Sequence, residues 1–259
     1  MFVSFLIKRV DKKLNFGLIK KNGRNNKGRI CVFHRGAGKR FRMHSIDFHR
    51  RIQDSGMIYK ITSCPLRSAP LGLVLYDSGF FSYIILNEVL KLGFKFLTSL
   101  NSNVSLIRNS LVNLLGNLEF FSIVSMVELK PYKGASIARA AGSGLILIGE
   151  SIDGRVLLKS VSGWLLKVSK TCISTLGYVA GSSHKMKKLS RAGERRRLGW
   201  RPVVRGVAMN PCDHPHGGGE GKKSPPKAHR SPWGKLTKGS PTKKKKIHKI
   251  SRRLFKKVK

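Results

Sequence analysis

The sequence has 259 residues, of which 52 are Lys or Arg and 12 are Asp or Glu, giving a formal net charge of +40 and an isoelectric point near 11.0. Self-repulsion on that scale opposes compaction unless a dense polyanion supplies counter-charge, and a folded RNA with one phosphate per nucleotide is the most plentiful candidate. With 41% hydrophobic residues, disorder throughout is excluded, and the length suits one or two ordinary domains.

The charge is concentrated at the ends. Residues 1–60 hold 16 basic and 3 acidic residues, 61–184 hold 11 and 6, and 185–259 hold 25 and 3. That division fits a folded body carrying two basic extensions that grip RNA. No apolar run approaches the roughly 18 residues that a bilayer crossing needs, so no membrane association is expected. The opening MFVSFLI is apolar, but it is too short for a secretory signal and has no basic region before it. Cys31, Cys64, Cys172 and Cys212 are scattered, with no Cys-x-x-Cys pair, so they frame neither a zinc finger nor a disulfide scaffold, and a reducing compartment is expected.

Residues 1–28 read as a basic N-terminal arm. From Arg29 the apolar residues fall in short β-rich runs, RICVFH, MIYKITS, LGLVLY and FFSYIIL, separated by Gly, Pro, Ser and Asp turn signals. Five or so short strands with regular turns predict a small barrel, because closure hides strand edges. An OB-like domain over residues 29–118 fits. Across its end, Leu86–Ser125 is rich in Leu, Asn and Ser with mixed periodicity, and fits an insertion, a long loop or a weakly patterned helix. A second strand series follows in SIVSMVELK, GLILIGE, RVLLKSV and GWLLKVS, and predicts another small barrel over residues 119–184. The fold class expected is therefore all-β. After Ser182, HKMKKLSRAGERRRLGW reads as a short basic helix. The rest of 185–259 is Gly- and Pro-rich, without a core of its own, and reads as an extended basic tail.

Two strings carry chemistry. The first is GRNNKGRI (Gly23–Ile30) with the FHRGAGKRFRMHSIDFHRR that follows. There Arg24, Arg29, Arg35, Lys39, Arg40 and Arg42 can contact phosphates, while Asn25 and Asn26 can hydrogen-bond base edges or 2′-hydroxyls. The bland alternative, a solvated basic loop, loses ground to the overall charge. The second is RPVVRGVAMNPCDHPHGGGEGKKSPP (Arg201–Pro226) with SPWGKLTKG (Ser231–Gly239). Its candidate RNA contacts are Arg201, Arg205, Asn210, His214, His216, Lys222, Lys223, Trp233 and Lys238. Three consecutive glycines and flanking prolines specify a loop that threads where side chains would clash.

Asp213, His214, His216 and Glu220 also invite a metal site or an acid/base centre. Both are poor fits, because a loop without a core cannot orient the supporting partners that such sites need. No catalytic residue, metal ligand or cofactor is assigned, beyond Mg ions of the kind that accompany RNA. The Gly-rich string lacks a G-K-[ST] ending, so it is not a nucleotide-binding P-loop. The terminal TKKKKIHKISRRLFKKVK is compatible with a nuclear signal or a membrane-surface helix, but a flexible RNA-neutralising tail agrees better with the rest of the chain.

These strings, together with VELKPYKGASIARAAGS (Val127–Ser143) and RSAPLGLVLYDSG (Arg67–Gly79), resemble the universal large-subunit ribosomal protein L-two family. RGVAMNPCDHPHGGGEG (Arg205–Gly221) with SPWG is the most specific part. The resemblance implies an OB-like barrel, an SH3-like barrel and an extended tail. It also implies binding of large-subunit rRNA near the peptidyl transferase centre, and a role in assembly and subunit association without performing the chemistry. Lys133 and Arg139 join the expected rRNA contacts through it, and His214 and His216 fall in the loop that reaches toward that centre. Neighbouring ribosomal proteins, and the small subunit at the intersubunit face, are the protein partners it implies.

Departures from the family pattern are GAGK at Gly36–Lys39 in place of a Gly-Gly-Gly-His-Lys string, Cys212 where Val is usual, the Leu86–Ser125 segment and a short leader. They point to an organellar copy, a mitochondrial ribosome first, with a plastid or bacterial ribosome as the alternative.

Overall fold

In the computed structural model, which describes residues 10–36, 38–98, 110–220 and 228–239 and the backbone of 255–257, strands dominate and helix is confined to short pieces. The fold is all-β, and its strand series agree with an OB-like domain followed by an SH3-like one. The described residues fall into two compact units. One comprises residues 10–18 and 40–188 with the strand at 255–257, and the other joins 19–39 to 189–239.

The first unit is built on an antiparallel meander of β3 (Ser55–Thr62), β4 (Leu71–Tyr76) and β5 (Phe81–Ile85). Strand β4, LGLVLY, is buried almost throughout, and its run of apolar residues without alternation is what a strand covered on both faces requires. Pairing of β3 with β4 slips by one residue at Tyr59, a bulge that bends the strand. The other edge of β3 takes β6 (Lys95–Thr98), to which β7 (Ser110–Leu114) runs parallel. The Leu86–Ser125 segment, left open between insertion, loop and helix, thus contributes three strands to the sheet among its described residues, β6, β7 and β8 (Ile123–Ser125), with a 3-10 turn at Leu115–Asn117. Residues 99–109 of it lie outside the described residues.

From β7 the ladder continues through β14 (Ile173–Leu176), β8 (Ile123–Ser125), β11 (Leu145–Glu150), β12 (Val156–Ser160) and β13 (Trp164–Val168) to β15 (Phe255–Lys257). Two smaller pairs stand beside it, β1 (Asn15–Gly17) with β2 (Arg42–His44), and β9 (Val127–Glu128) with β10 (Ala135–Ile137). The two strand series share packing. One core cluster combines Leu71, Leu73, Tyr83 and Ile85 with Met126, Ala135 and Val179, while Val124, Leu147, Leu158, Leu166 and Cys172 fill the second series from within. Ile58, Val74, Ile84 and Phe96 form a third cluster.

Two charged side chains are buried in this unit. The Glu128 carboxylate accepts the backbone N–H of Gly134 (2.8 Å) and of Ile173 (3.2 Å), tying the β9–β10 turn to β14. The Arg50 guanidinium donates to the Met126 carbonyl at 2.6 Å. Burial pulls its pKa down to about 10, against the favourable charges of Asp47 and Glu128.

The first run of the predicted series, RICVFH, is not a strand and does not join this sheet. The N–H groups of Cys31 and Val32 both donate to the Gly23 carbonyl, and His34 has φ of 54°, so the chain bends instead of extending. Its apolar side chains, Ile30, Val32 and Phe33, stay about half exposed. An apolar run signals a strand only when a neighbour offers a ladder, and here the local loop takes the hydrogen bonds first. The expected basic helix is also shorter than its run: a 3-10 turn at Ser182–Met186, a break, then α1 (Ala192–Arg197). Glu194 in its first turn receives the Ser190 N–H and hydroxyl, and Arg195–Arg197 lie at the carbonyl end, both favourable to the helix dipole.

Candidate nucleic-acid interface

The second unit has no cluster of buried apolar residues among its described residues; it is held by main-chain hydrogen bonds between segments far apart in sequence. Gly36 N–H donates to the Gly199 carbonyl (3.1 Å), Lys39 N–H to Arg197 (3.1 Å) and Arg201 N–H to His34 (2.9 Å). Gly38 sits where this contact is tightest. A Cβ there would lie 2.7 Å from the Arg197 carbonyl oxygen, and its φ is +80°, so GAGK keeps glycine at a position that admits nothing else. The N-terminal basic string and the C-terminal tail are therefore one structure.

Residues 24–30 close a small loop through the Arg24–Ile30 bridge. Asn25 organises it: its Oδ1 accepts the N–H of Lys27 and of Arg29, both at 3.0 Å. That oxygen is consequently committed to the loop's own backbone. Arg24, Asn26 and Arg29 are exposed around it. Arg35 lies over the Trp200 ring, 3.8 Å from its centroid, and Arg195 approaches at 5.7 Å. Phe33 and Trp233 meet at 5.0 Å with tilted rings, and Trp233 remains 64% exposed. Cations stacked on exposed aromatic rings present both a phosphate partner and a flat surface for a base.

The Gly-rich loop builds outward from its histidines. His214 Nδ1 accepts the His216 N–H at 3.0 Å, and His216 Nε2 accepts the Arg230 N–H at 2.9 Å. The two rings stack at 5.3 Å. A nitrogen that accepts a backbone N–H carries no proton, so His214 has its own N–H on Nε2 and His216 on Nδ1. The lone pairs that a general base would use are occupied. Gly217 allows this winding, since a Cβ there would come 2.2 Å from the Asn210 carbonyl oxygen.

Of the residues singled out by sequence, Arg24, Asn25, Asn26, Arg29, Arg35, Lys39, Arg201, Arg205, Asn210, His214, His216, Trp233 and Lys238 all belong to this unit. Arg40, Arg42, Lys133 and Arg139 belong to the other. Arg42 is exposed on β2 and Lys133 on the β9–β10 turn, while Arg139 is partly buried, donating to the Ala135 carbonyl at 3.4 Å. Lys222 and Lys223 lie outside the described residues. Phe33, Trp200 and Arg195 were not selected by sequence reasoning, although an aromatic residue among cations, as in RRRLGWR, was the available signal. Among the described residues no group of three or more His, Cys, Asp or Glu side chains could hold a metal ion, and no helix is long and apolar enough to cross a membrane.

An all-β body with a cationic, aromatic-studded second unit defines an RNA-binding protein. Family comparison gives the class its name: residues 11–98 match the model of the Ribosomal Proteins L2 RNA binding N-terminal domain, and residues 110–234 match that of the C-terminal domain. The chain is 42% identical over 237 residues to large ribosomal subunit protein uL2 of Orientia tsutsugamushi, covering 91% of this chain and 85% of that one. Against the uL2 of Wolbachia pipientis from Culex pipiens the figures are 44% over 251 residues, 96% and 89%, and against that of Rickettsia canadensis 41% over 239 residues, 91% and 85%. The chain belongs to the L2 (uL2) family of ribosomal proteins and is a structural constituent of the large ribosomal subunit.

Proposed function

We propose that the chain holds large-subunit rRNA chiefly through its second unit, with the His214–Gly219 loop directed at RNA near the peptidyl transferase centre, and that it supports assembly and subunit association as a scaffold. The observation that carries this reading is the union of two basic segments, distant in sequence, in one unit held by main-chain hydrogen bonds, with most of its described Arg and Lys side chains and Trp233 exposed. Such a surface gains its free energy from phosphate contact and counterion release. Arg40, Arg42, Lys133 and Arg139 extend the contact to the first unit. Mg ions belong to the RNA in this reading, neighbouring ribosomal proteins and the small subunit are further contacts, and the protein performs no chemistry itself. The relatives named above are all bacterial, which favours a bacterial ribosome over the mitochondrial one expected from the sequence departures.

Affinity of the full chain for large-subunit rRNA, titrated with salt, tests this. The logarithm of the affinity should fall linearly with the logarithm of salt concentration, by about 0.7–0.9 per phosphate neutralised. Deleting 185–259 removes 25 basic residues and should flatten that slope. A salt-independent affinity, or duplex DNA competing as well as rRNA, would overturn the reading. Turnover of a model peptidyl ester by the RNA-free protein, abolished by His214→Ala, would restore the enzyme alternative. Sedimentation with large subunits from a bacterial lysate is expected, and recovery with organellar subunits alone would reverse the compartment.

A further inference from the structure

The first unit carries a feature that the rRNA-holding surface does not use. A cavity of about 430 Å³ opens beside the β1–β2 pair, lined among others by Phe16, His44, Phe48, Cys64, Leu66 and Arg67. Its walls are apolar and aromatic, yet its charges are all of one sign. The Arg67 guanidinium sits 4.8 Å from the centroid of the Phe48 ring, and that of Arg139 sits 5.2 Å from the same ring. Among the described residues neither has a carboxylate within 4.0 Å. The two cations oppose each other: after burial, the charge of Arg139 is the next cause that lowers the Arg67 pKa. Arg67 lines the cavity and Arg139 shares with it the Phe48 ring of the cavity wall, and such a pair of guanidinium groups without a carboxylate is complementary to an anion attached to something flat and weakly polar.

His44 lines the cavity, and its ring packs edge-on against Tyr83 at 4.8 Å. Apolar and aromatic walls beside guanidinium groups suit a planar, partly polar guest. Phe16 is 46% exposed, available to a stacking partner at the mouth.

We propose that this cavity receives one unpaired nucleotide of the rRNA, its base seated against Phe16 and Phe48, and its phosphate on Arg67 and Arg139. The assignment rests on the rRNA-binding reading above and adds to it a discrete, base-inserting contact in the first unit. RNA recognition by unstacked bases on aromatic and guanidinium planes requires these components.

Ultraviolet crosslinking of the full chain to large-subunit rRNA, followed by mass spectrometry of nucleotide-bearing peptides, tests it. Zero-length crosslinks form only where a base directly touches a side chain, so an adduct is expected on the peptides containing Phe48 or Cys64. Phe16→Ala and Arg67→Gln change the half-exposed mouth and the rim while leaving the core, and circular dichroism checks that both fold. Each should lower that adduct by about tenfold while adducts within 189–239 persist. Adducts in 189–239 with none at the cavity, or cavity adducts that both variants leave unchanged, would overturn the pocket and leave the rRNA reading standing. Loss of rRNA retention and of every adduct in the unaltered chain would overturn both. Micromolar binding of free uridine or adenosine monophosphate to the RNA-free protein, abolished by Phe16→Ala and without a cavity adduct in the rRNA complex, would reassign the cavity to a soluble nucleotide.

Discussion

The two units solve the same problem, keeping a +40 chain folded, by different physics. The first buries Leu73, Leu158, Val124 and their neighbours, satisfies a buried carboxylate with backbone donors and forms ion pairs such as Lys170 with Glu150 at 2.7 Å. The second relies on main-chain bonds between residues distant in sequence and on an aromatic ring against which cations pack. A unit of the first kind draws its stability from excluded water and stands without a partner. The second leaves its cations in solvent, where mutual repulsion acts against it until phosphate arrives. On the proposed function, most of the stability therefore resides in the first unit and most of the phosphate contact in the second.

Substitutions can pull these two properties apart. The largest effect is expected from Leu158→Ala, which empties a fully buried position: about 2–5 kcal/mol of stability should be lost in thermal or urea unfolding. At temperatures where the variant stays folded, rRNA affinity should be unchanged; a parallel loss would show that the units are not energetically separate. The reverse pattern is expected of Gly217→Ala. Its methyl group collides with the Asn210 carbonyl, so about 1–3 kcal/mol should be lost from rRNA binding while the main unfolding transition stays in place. Trp200→Ala removes the ring on which Arg35 and Arg195 pack and should weaken rRNA binding by about 0.5–2 kcal/mol.

The smallest effect is a pH dependence confined to the first unit. Burial holds the His44 pKa below 6.5, with Asp11 opposing and Lys60 reinforcing. As pH falls through about 6.5 the unfolded chain therefore takes up a proton before the folded one, so stability is complete above that pH and declines below it. His44→Gln should flatten the melting temperature across this range, and an unchanged slope would assign it elsewhere.

Much of the first unit was legible in the sequence because its signals are local. LGLVLY, RVLLKSV and GWLLKVS are bounded by turn residues and became β4, β12 and β13. Lys95–Thr98 and Ser110–Leu114 were not legible, since KFLT and SLVNL are too short and too mixed to show a period, and their place is set by the waiting edges of β3 and β14. RICVFH misled for the converse reason: it has the composition of a strand and no sheet edge beside it. At the candidate site the residue types were legible but not their grouping. Nothing in GAGK or RLGWR announces that Lys39 N–H meets the Arg197 carbonyl, because such bonds carry no side-chain signature. The acceptor role of His214 Nδ1 was likewise hidden, as it depends on the backbone turn between two histidines.

The bonds that tie residues 34–39 to 197–201 carry a consequence for biogenesis. When the N-terminal half of the contact emerges during synthesis, its counterpart has not yet been made, and residues 40–188 of the first unit are translated in the interval. Closing so long a loop costs entropy that grows only logarithmically with its length, so the delay is imposed by the order of translation and not by the energetics of closure. A nascent chain can thus assemble most of its hydrophobic body before the main-chain bonds that close its second unit can form.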